Sequence, residues 1–196
     1  MTSDDWDGMY RSREQVFSGN PNPVLVAEVS ALAPGQALDV GCGEGADAVW
    51  LARRGWRVTA VDVSETALRR GAESGRDVAG HIAWTRADVS ETALPAAAFE
   101  LVSVQYFPLP KRDDGALERL LATVAPGGTL LVTGHDPADE GVDYGDYYRP
   151  DEIAERLQGW RVDVHEVRAR ETPGPEGTHH TRDVVLKAIA PQEVKE

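Results

Sequence analysis

The chain has 196 residues, of which 41% are hydrophobic, and its 33 acidic and 20 basic residues give a formal net charge of -13. The length favours a single domain over residues 1–196, and the charge argues against nucleic acid or an anionic membrane as a partner. One cysteine excludes an internal disulfide, no apolar run is long enough to span a bilayer, and the polar N-terminus is unlike a signal peptide, so we expect a cytoplasmic protein.

A short helix is predicted within residues 4–17, where Trp6 and Tyr10 are four residues apart and share one helix face. No strand or helix of the core needs this stretch in order to close the fold. We therefore predict that residues 1–22 form a lid or cap that dries a ligand site. The alternative is that the aromatic pair seals the edge of the core.

Beyond this segment, strand and helix patterns alternate, which predicts a mainly parallel α/β sheet. Asn22 and Pro23 fit the N-cap and first position of the helix that follows. Residues 169–181 show no convincing helix, so the last two strands should form a hairpin with an antiparallel final strand. The predicted strands are 37–40, 57–61, 82–86, 101–104, 129–133, 161–168 and 183–188, and the predicted helices are 24–32, 46–54, 65–74, 115–124 and 150–158.

The most informative stretch follows the first predicted strand, which ends in Asp39 and then breaks into the alternating glycines Gly41, Gly43 and Gly45. Glycines let a ligand approach the backbone closely, and the helix that follows points its N-terminal amides at that ligand. The second strand ends in Asp62, where a carboxylate is well placed to accept hydrogen bonds from ribose hydroxyls. The pattern predicts a nucleoside-bearing cofactor.

The same glycines, with Ala46, also satisfy the dinucleotide fingerprint, so a nicotinamide-dependent oxidoreductase is an alternative. Asp39 disfavours it, because a carboxylate at this position repels a pyrophosphate. A ligand that carries a cationic amine and a sulfonium is not repelled.

In an open parallel sheet, ligands bind beyond the carboxyl ends of the strands. Asp88 has an alternative role as a turn residue, and Gln105 and Tyr106 have one in packing at a strand end. Cys42 is a small residue of the glycine turn, and nothing beside it lowers its thiol pKa, so we reject a nucleophile. The edge rule selects residues 39–45, Asp62 with Val63, Asp88 with Val89, Gln105 with Tyr106, and residues 134–136.

Two further motifs occur in order with the glycine turn: Val-Asp-Val-Ser at 61–64 and Ala-Pro-Gly-Gly at 125–128. Together they resemble the class I S-adenosylmethionine (SAM)-dependent methyltransferase family over residues 24–132. The resemblance implies a Rossmann-like fold with a seven-stranded, mostly parallel sheet, an antiparallel last strand and helices on both faces. It also implies SAM as cofactor and S-adenosylhomocysteine as product.

The resemblance also suggests where the cofactor lies. It implies that Asp88 accepts from the adenine amine, that Val89 packs on the ring and that Gln105 flanks the methionine part. Tyr106 then faces the acceptor. The aromatic pair of the first helix, together with residues 50–55, loosely resembles the thiopurine and tellurite-resistance branches of the family, although Tyr10 stands where thiopurine enzymes usually have tryptophan.

On the acceptor side, residues 143–148 form an aromatic and acidic loop. His179 and His180 precede the last strand at the ligand end of the sheet, so His180 is a weak candidate for a general base, as is Tyr106 for a catalytic role. The alternative for His180 is a surface turn. Successive strand residues face opposite ways, so the two histidines alone do not predict a metal site, and we expect none.

We interpret the chain as a SAM-dependent methyltransferase of a small-molecule acceptor. A thiol or other soft nucleophile suits it, because such an acceptor needs little help from a base. Residues 105–108 lack the Asn-Pro-Pro-Tyr type of motif, which weakens amide-nitrogen methylation, and the excess of arginine over lysine hints at a bacterial source. A non-catalytic SAM-binding or partner-binding protein is the main alternative, and the sequence leaves the oligomeric state open.

Overall fold

The computed structural model of the chain describes residues 2–111, 115–139, 142–170 and 180–192. Within them, helices and strands alternate along the chain as an α/β fold. The strands are β1 (Gln36–Val40), β2 (Arg57–Asp62), β3 (Ile82–Arg86), β4 (Phe99–Gln105), β5 (Val124–His135), β6 (Arg161–Ala169) and β7 (Arg182–Ile189). The helices are α1 (Ser3–Arg11), α2 (Pro23–Val29), α3 (Ala46–Arg53), α4 (Glu65–Ser74), α5 (Ala116–Leu121) and α6 (Pro150–Ala154).

The seven strands form one sheet in the order β3-β2-β1-β4-β5-β7-β6. β1 to β5 run parallel to one another, and β7 lies antiparallel between β5 and β6. The predicted fold, including its antiparallel final strand, is therefore confirmed. Because β7 runs against β5, its first residues lie at the same edge of the sheet as the carboxyl ends of the parallel strands. His179 lies outside the described residues.

Alternate strand residues pack on opposite faces of the sheet, which gives two cores. Leu38 and Val102 belong to the core that α5 and α6 cover. Ala37 and Leu101 belong to the core that α2 and α3 cover. Helices on both faces thus leave the two ends of the sheet as the places where a site can form. Within the described part of the chain, no helix combines the length and the apolar character that crossing a membrane would need.

The structure corrects several predicted boundaries. The helix predicted over 115–124 ends at Leu121, because Val124 already pairs with Phe99 as the start of β5. Residues 125–128 lie within β5 rather than before it, and Gly127 adopts a φ of 71° there beside a register shift. The helix predicted over 150–158 stops at Ala154, and the chain turns at Gly159 with a φ of 79°.

Near the N-terminus, α1 covers only Ser3–Arg11 of the predicted stretch 4–17, and α2 ends at Val29 rather than 32. A 3-10 helix over Arg76–His81 was not predicted. The predicted cap of α2 is confirmed. The Asn22 side chain accepts from the Val24 amide at 2.9 Å, and Pro23 occupies the first turn.

Candidate functional site

The glycine turn between β1 and α3 has the backbone that its sequence predicts. Gly41, Gly43 and Gly45 have φ values of 66°, 52° and 80°, in the left-handed region that favours glycine. Neighbouring aromatic rings also exclude a side chain. A Cβ on Gly41 would lie 2.5 Å from the Phe107 ring, and one on Gly45 would lie 2.3 Å from Trp84. The turn is therefore a bare backbone surface beneath aromatic side chains.

Two buried carboxyl groups flank this turn. Asp62 is 8% exposed, and its two oxygens accept from the backbone amides of Gly43 at 2.9 Å and Ser64 at 2.8 Å. Burial nevertheless raises the pKa of Asp62. Asp39 is 2% exposed, and burial, together with the nearby carboxylates of Asp47 and Asp62, raises its pKa well above the usual value.

Asp39 Oδ2 and Gln105 Oε1 are buried and have no hydrogen-bond partner among the described residues. They lie on the neighbouring strands β1 and β4, near the carboxyl end of each. Buried acceptors without donors are uncommon and call for an explanation. A cationic, hydrogen-bond-donating ligand supplies one, so the residues present fit the aminoacyl part of SAM. Cys42 is half-buried, and burial together with Asp39 and Asp62 raises the pKa of its thiol, as expected for an inert residue.

Residues of the N-terminal segment cover the glycine turn. Tyr10 is 4% exposed, and its hydroxyl oxygen lies 2.8 Å from the position of a Cβ on Gly43. Phe17 packs edge-on against Tyr10 with ring centroids 6.2 Å apart. The amides of Val16 and Phe17 donate to Glu44 Oε2 at 3.1 Å and 3.0 Å, which ties the segment to the turn itself. Burial raises the pKa of Tyr10, which keeps its hydroxyl protonated.

Asp7 anchors α1 to the first turn of α4. Its Oδ1 accepts from the Ser64 hydroxyl at 2.7 Å and from the Thr66 amide at 3.0 Å, and Arg11 lies 2.6 Å from Oδ2. These hydrogen bonds favour the carboxylate and lower the pKa of Asp7 from its ordinary 3.8 to about 2.

The Asp7 anchor predicts an acid-sensitive contribution to stability. A carboxyl group whose pKa is lower in the folded chain stabilises the fold above its unfolded pKa, and this stability is lost as the pH falls through the folded pKa. Between about pH 4 and pH 2, wild-type stability should therefore fall more steeply than that of Asp7→Asn. Urea unfolding across this range measures the difference, and parallel pH curves would contradict the anchor.

A cavity of about 420 Å³ opens beside the ends of β2 and β3. Val63 and Asp88, both selected from the sequence as candidate contacts of the cofactor, line it. Asp88 Oδ1 accepts from the Ser90 amide at 2.9 Å and the Ser90 hydroxyl at 2.6 Å, which fixes the turn. Val89, by contrast, is 5% exposed and packs in the core cluster instead of lining the cavity.

A second cavity of about 320 Å³ adjoins the first at the ends of β4 and β5. Tyr106, His135, Tyr144 and His180 line it, together with apolar side chains such as Val132 and Ile153. Both cavities share a wall whose members come from α1, from the segment after β4 and from the loop before α6: Trp6, Phe107, Pro108 and Tyr147.

Three rings stack at the edge of the second cavity. Tyr106 and His135 have centroids 4.6 Å apart, and His135 and His180 have centroids 4.1 Å apart, with interplanar angles of 29° and 27°. We call Tyr106, His135 and His180 the histidine stack. Tyr106 has a φ of 52°, unusual for a residue with a side chain, and its hydroxyl donates to Asp183 Oδ2 at 2.8 Å. Such strained residues cluster at functional sites.

The structure thus sorts the predicted site residues into three groups. Asp39, the glycines, Cys42, Asp62 and Tyr10 come together at the turn, Val63 and Asp88 line the first cavity, and Tyr106 and His180 line the second. Gln105 follows Val104, which lines the second cavity, and its amide nitrogen donates to Ser103 Oγ at 3.0 Å. No metal-binding group of three ligands exists within the described ranges, and the expected lack of a metal stays a prediction.

Sequence reasoning missed Phe107, Trp84 and Asp183, and it gave no role to His135. Asp183 carried a readable signal. It is the single acid in the apolar run 183–186, at the start of a strand predicted to begin at the ligand edge. The contact of Trp84 with Gly45 and Gly71 has no comparable signal in the sequence, because it depends on how α3 and α4 pack on the sheet.

Known proteins are similar to this chain in sequence and in fold. Residues 37–128 match a family model described as a methyltransferase domain. An uncharacterised methyltransferase of Mycobacterium tuberculosis is 45% identical over 97 residues, which are 48% of this chain and 48% of that protein. The chain therefore matches about half the length of this curated relative.

Two solved structures share the fold. One, described by the conversion of a disulfide bond into a thioacetal group during echinomycin biosynthesis, has a TM-score of 0.79 at 19% identity and covers 98% of this chain and 94% of that one. The N-methyltransferase NodS from Bradyrhizobium japonicum, in complex with S-adenosylhomocysteine, has a TM-score of 0.76 at 18% identity and covers 96% and 100%. Over residues 37–128 this chain is therefore similar to a methyltransferase domain, and it shares its overall fold with these two structures.

Proposed function

We propose that this protein binds SAM and methylates a small-molecule acceptor. The observation that carries the proposal is the junction of two cavities beside the glycine turn. The first lies where the nucleoside is expected, the second lies at the next strand ends, and four side chains form their common wall. Two adjoining cavities suit a reaction in which two ligands exchange a group.

The chain's own residues suggest how the cofactor is held. In this proposal Asp62 binds the ribose hydroxyls, Asp88 the adenine amine, and Asp39 with Gln105 the aminoacyl end. The unpaired buried oxygens of Asp39 and Gln105, and the position of Asp88 in the first cavity, support these roles. When bound, SAM supplies a methyl group on a positively charged sulfur, which reacts readily with a nucleophile. The protein then mainly has to align the acceptor and exclude water, and Trp6 on the common wall contributes to both.

The acids at the turn weigh against a nicotinamide cofactor. Asp39, Asp47 and Asp62 concentrate negative charge close to the position that a pyrophosphate would occupy, which disfavours it. The second cavity weighs against a purely SAM-binding protein, because such a protein has no need for a second, largely apolar recess beside the cofactor.

The second cavity bears on the identity of the acceptor. Its small size follows from the cavity of about 320 Å³, which suits a compact organic molecule. A soft nucleophile such as a thiol remains our prediction, and one structural neighbour is described by sulfur chemistry while another is named an N-methyltransferase.

Calorimetry and an acceptor screen test the proposal. SAM and S-adenosylhomocysteine should bind, and NAD should not. A panel of small thiols, amines and phenols should contain at least one acceptor that is methylated in the presence of SAM. Tighter binding of NAD than of SAM would end the proposal. Binding of SAM without turnover of any acceptor would favour the non-catalytic alternative.

A further inference from the structure

Asp183 lies next to two members of the histidine stack, Tyr106 and His135. It is 5% exposed and pairs directly with His135 in the antiparallel register of β5 and β7. Its Oδ2 accepts from the Tyr106 hydroxyl, and its Oδ1 lies 3.7 Å from His135 Nδ1. Arg170 lies 3.5 Å from the same carboxylate and 5.3 Å from the centre of the Tyr106 ring. Strand pairing thus fixes a carboxylate next to an imidazole that lines the second cavity.

The histidines of the stack have unused hydrogen-bonding capacity. The Nδ1 atoms of His135 and His180 are buried, and neither has a hydrogen-bond partner among the described residues. Burial lowers the pKa of His180, and the neighbouring His135 and Arg170 lower it further, against the opposite effect of Asp139 and Asp183. His180 therefore stays neutral near neutral pH and keeps a lone pair that can take up a proton.

The remaining walls of the second cavity favour an acceptor of a particular shape. Its walls are aromatic and aliphatic, with Phe107 and Tyr148 among the rings and Val104 and Leu109 among the aliphatic side chains. Such walls fit a flat ring, because flat rings stack on aromatic side chains with favourable geometry. The three residues of the histidine stack are among the polar residues that line the same cavity.

We propose that the His135–His180 pair is the proton acceptor of the reaction and that the acceptor is a flat aromatic compound whose methylated atom carries a proton. This inference rests on the proposed function of the same site. Asp183 is a positioning residue, since it accepts a hydrogen bond from Tyr106 and is the strand partner of His135. A hydroxyl, a ring N–H or a ring thiol satisfies the proposal, and the hydroxyl is the group that needs a base most.

The proposed step balances as follows. The acceptor's X–H bond breaks, its electron pair stays on X, and the proton passes to a lone pair of the imidazole, which becomes imidazolium. X then forms a bond to the methyl carbon as the carbon–sulfur bond breaks, and the electron pair of that bond stays on sulfur. The imidazolium later returns its proton to solvent.

Proton uptake by the pair depends on the charged and titratable groups that face it. They come from the loop after β5, from the ends of β4 and β6 and from β7. Tyr144 contacts the pair through its hydroxyl, which donates to the His135 carbonyl at 2.6 Å. Among the described residues, those that contact the pair or act on its charge are Tyr106, Asp139, Tyr144, Arg170 and Asp183.

A nitrophenol tests proton transfer without turnover, because its colour reports its ionisation. The full-length protein, saturated with S-adenosylhomocysteine, is titrated with the nitrophenol across the pH range. At the pH where half of the bound ligand is ionised in wild type, His180→Gln and His135→Gln should hold about tenfold less phenolate. His81→Gln, at an exposed position in the 3-10 helix, is the matched control and should behave as wild type.

Kinetics give the second readout. Phenol has a pKa of about 10, as tyrosine does, whereas a nitrophenol is already ionised at about pH 8. His180→Gln should lower kcat about 100-fold with phenol and less than about tenfold with the nitrophenol. In wild type, acid should depress kcat with phenol more than with the nitrophenol, and this comparison holds even where a variant fails to fold.

An equal loss of kcat with both acceptors, or phenolate fractions unchanged by both substitutions, overturns the inference. So does a nitrophenol that does not bind. These results differ from failure of the proposed function, in which S-adenosylhomocysteine does not bind or no acceptor of any class is methylated. The colour titration still reports on the histidine pair when turnover is absent.

Discussion

Asp62→Ala should bind SAM about 10- to 100-fold more weakly than wild type, which corresponds to the loss of about 1.5–3 kcal/mol from charge-assisted hydrogen bonds. The structure adds a second effect. The carboxylate accepts from the Gly43 and Ser64 amides, so its removal leaves two buried donors without their acceptor. We therefore expect a lower free energy of unfolding as well, by about 1–3 kcal/mol for each amide that finds no new partner.

Calorimetric titration with S-adenosylhomocysteine and urea unfolding without ligand separate these two effects. Asp77→Ala is the control, since Asp77 is an exposed acid paired with Arg53, and its loss should leave both stability and affinity close to those of wild type. If Asp62→Ala lost stability but kept the wild-type affinity for S-adenosylhomocysteine, Asp62 would stabilise the glycine turn and would not bind the ribose.

Deleting residues 1–17 should leave the sheet folded and lower turnover by about 100-fold, a loss of the size that follows from misplacing reacting groups. The deletion removes Trp6 from the common wall of the cavities and uncovers Gly43 by removing Tyr10 and Phe17. Water then reaches the site. Steady-state kinetics and circular dichroism measure the two parts of the prediction, and SAM should slow hydrogen exchange of α1 in the full chain.

Gly8→Ala is the matched variant for the deletion, because it should stabilise α1 instead of removing it. A Cβ at Gly8 meets no atom within 4 Å, so alanine should stabilise α1 by about 0.5–1 kcal/mol without touching the site. Hydrogen exchange in α1 should then slow by about two- to fivefold.

A truncated chain that binds SAM and methylates as fast as the full chain would falsify the lid, and Tyr10 would leave the list of site residues.

The fold was largely readable because its signals are local. The glycine turn, the alternation of strand and helix patterns and the Asn22–Pro23 cap each arise within a few residues. The errors lie where tertiary pairing decides. Val124 joins β5 because Phe99 is beside it, and no pattern within 115–124 reports that neighbour.

The site divides in the same way. Asp39, the three glycines and Asp62 were found because spacing along one βαβ unit brings them together. The roles of His135 and Asp183 were not, because these residues are far apart in sequence and meet through the antiparallel pairing of β5 with β7. The docking of α1 through Asp7 depends on one side-chain contact to α4, which periodicity does not encode.

The common wall of the two cavities has a consequence for how such a protein can change over time. Most of the residues that we propose for the cofactor, namely Asp39, the three glycines, Asp62 and Asp88, lie within residues 36–91, and we call them the cradle. The histidine stack and most of the second cavity come instead from residues 104–180. Substitutions in the later part can exchange one acceptor for another while the cradle is inherited intact. Both cavities are lined by Trp6, Phe107, Pro108 and Tyr147. A substitution at any of these positions therefore alters both proposed binding sites. Diversification of the acceptor should therefore spare these four positions, and a swap of specificity between relatives should be easiest when they are transferred as a set.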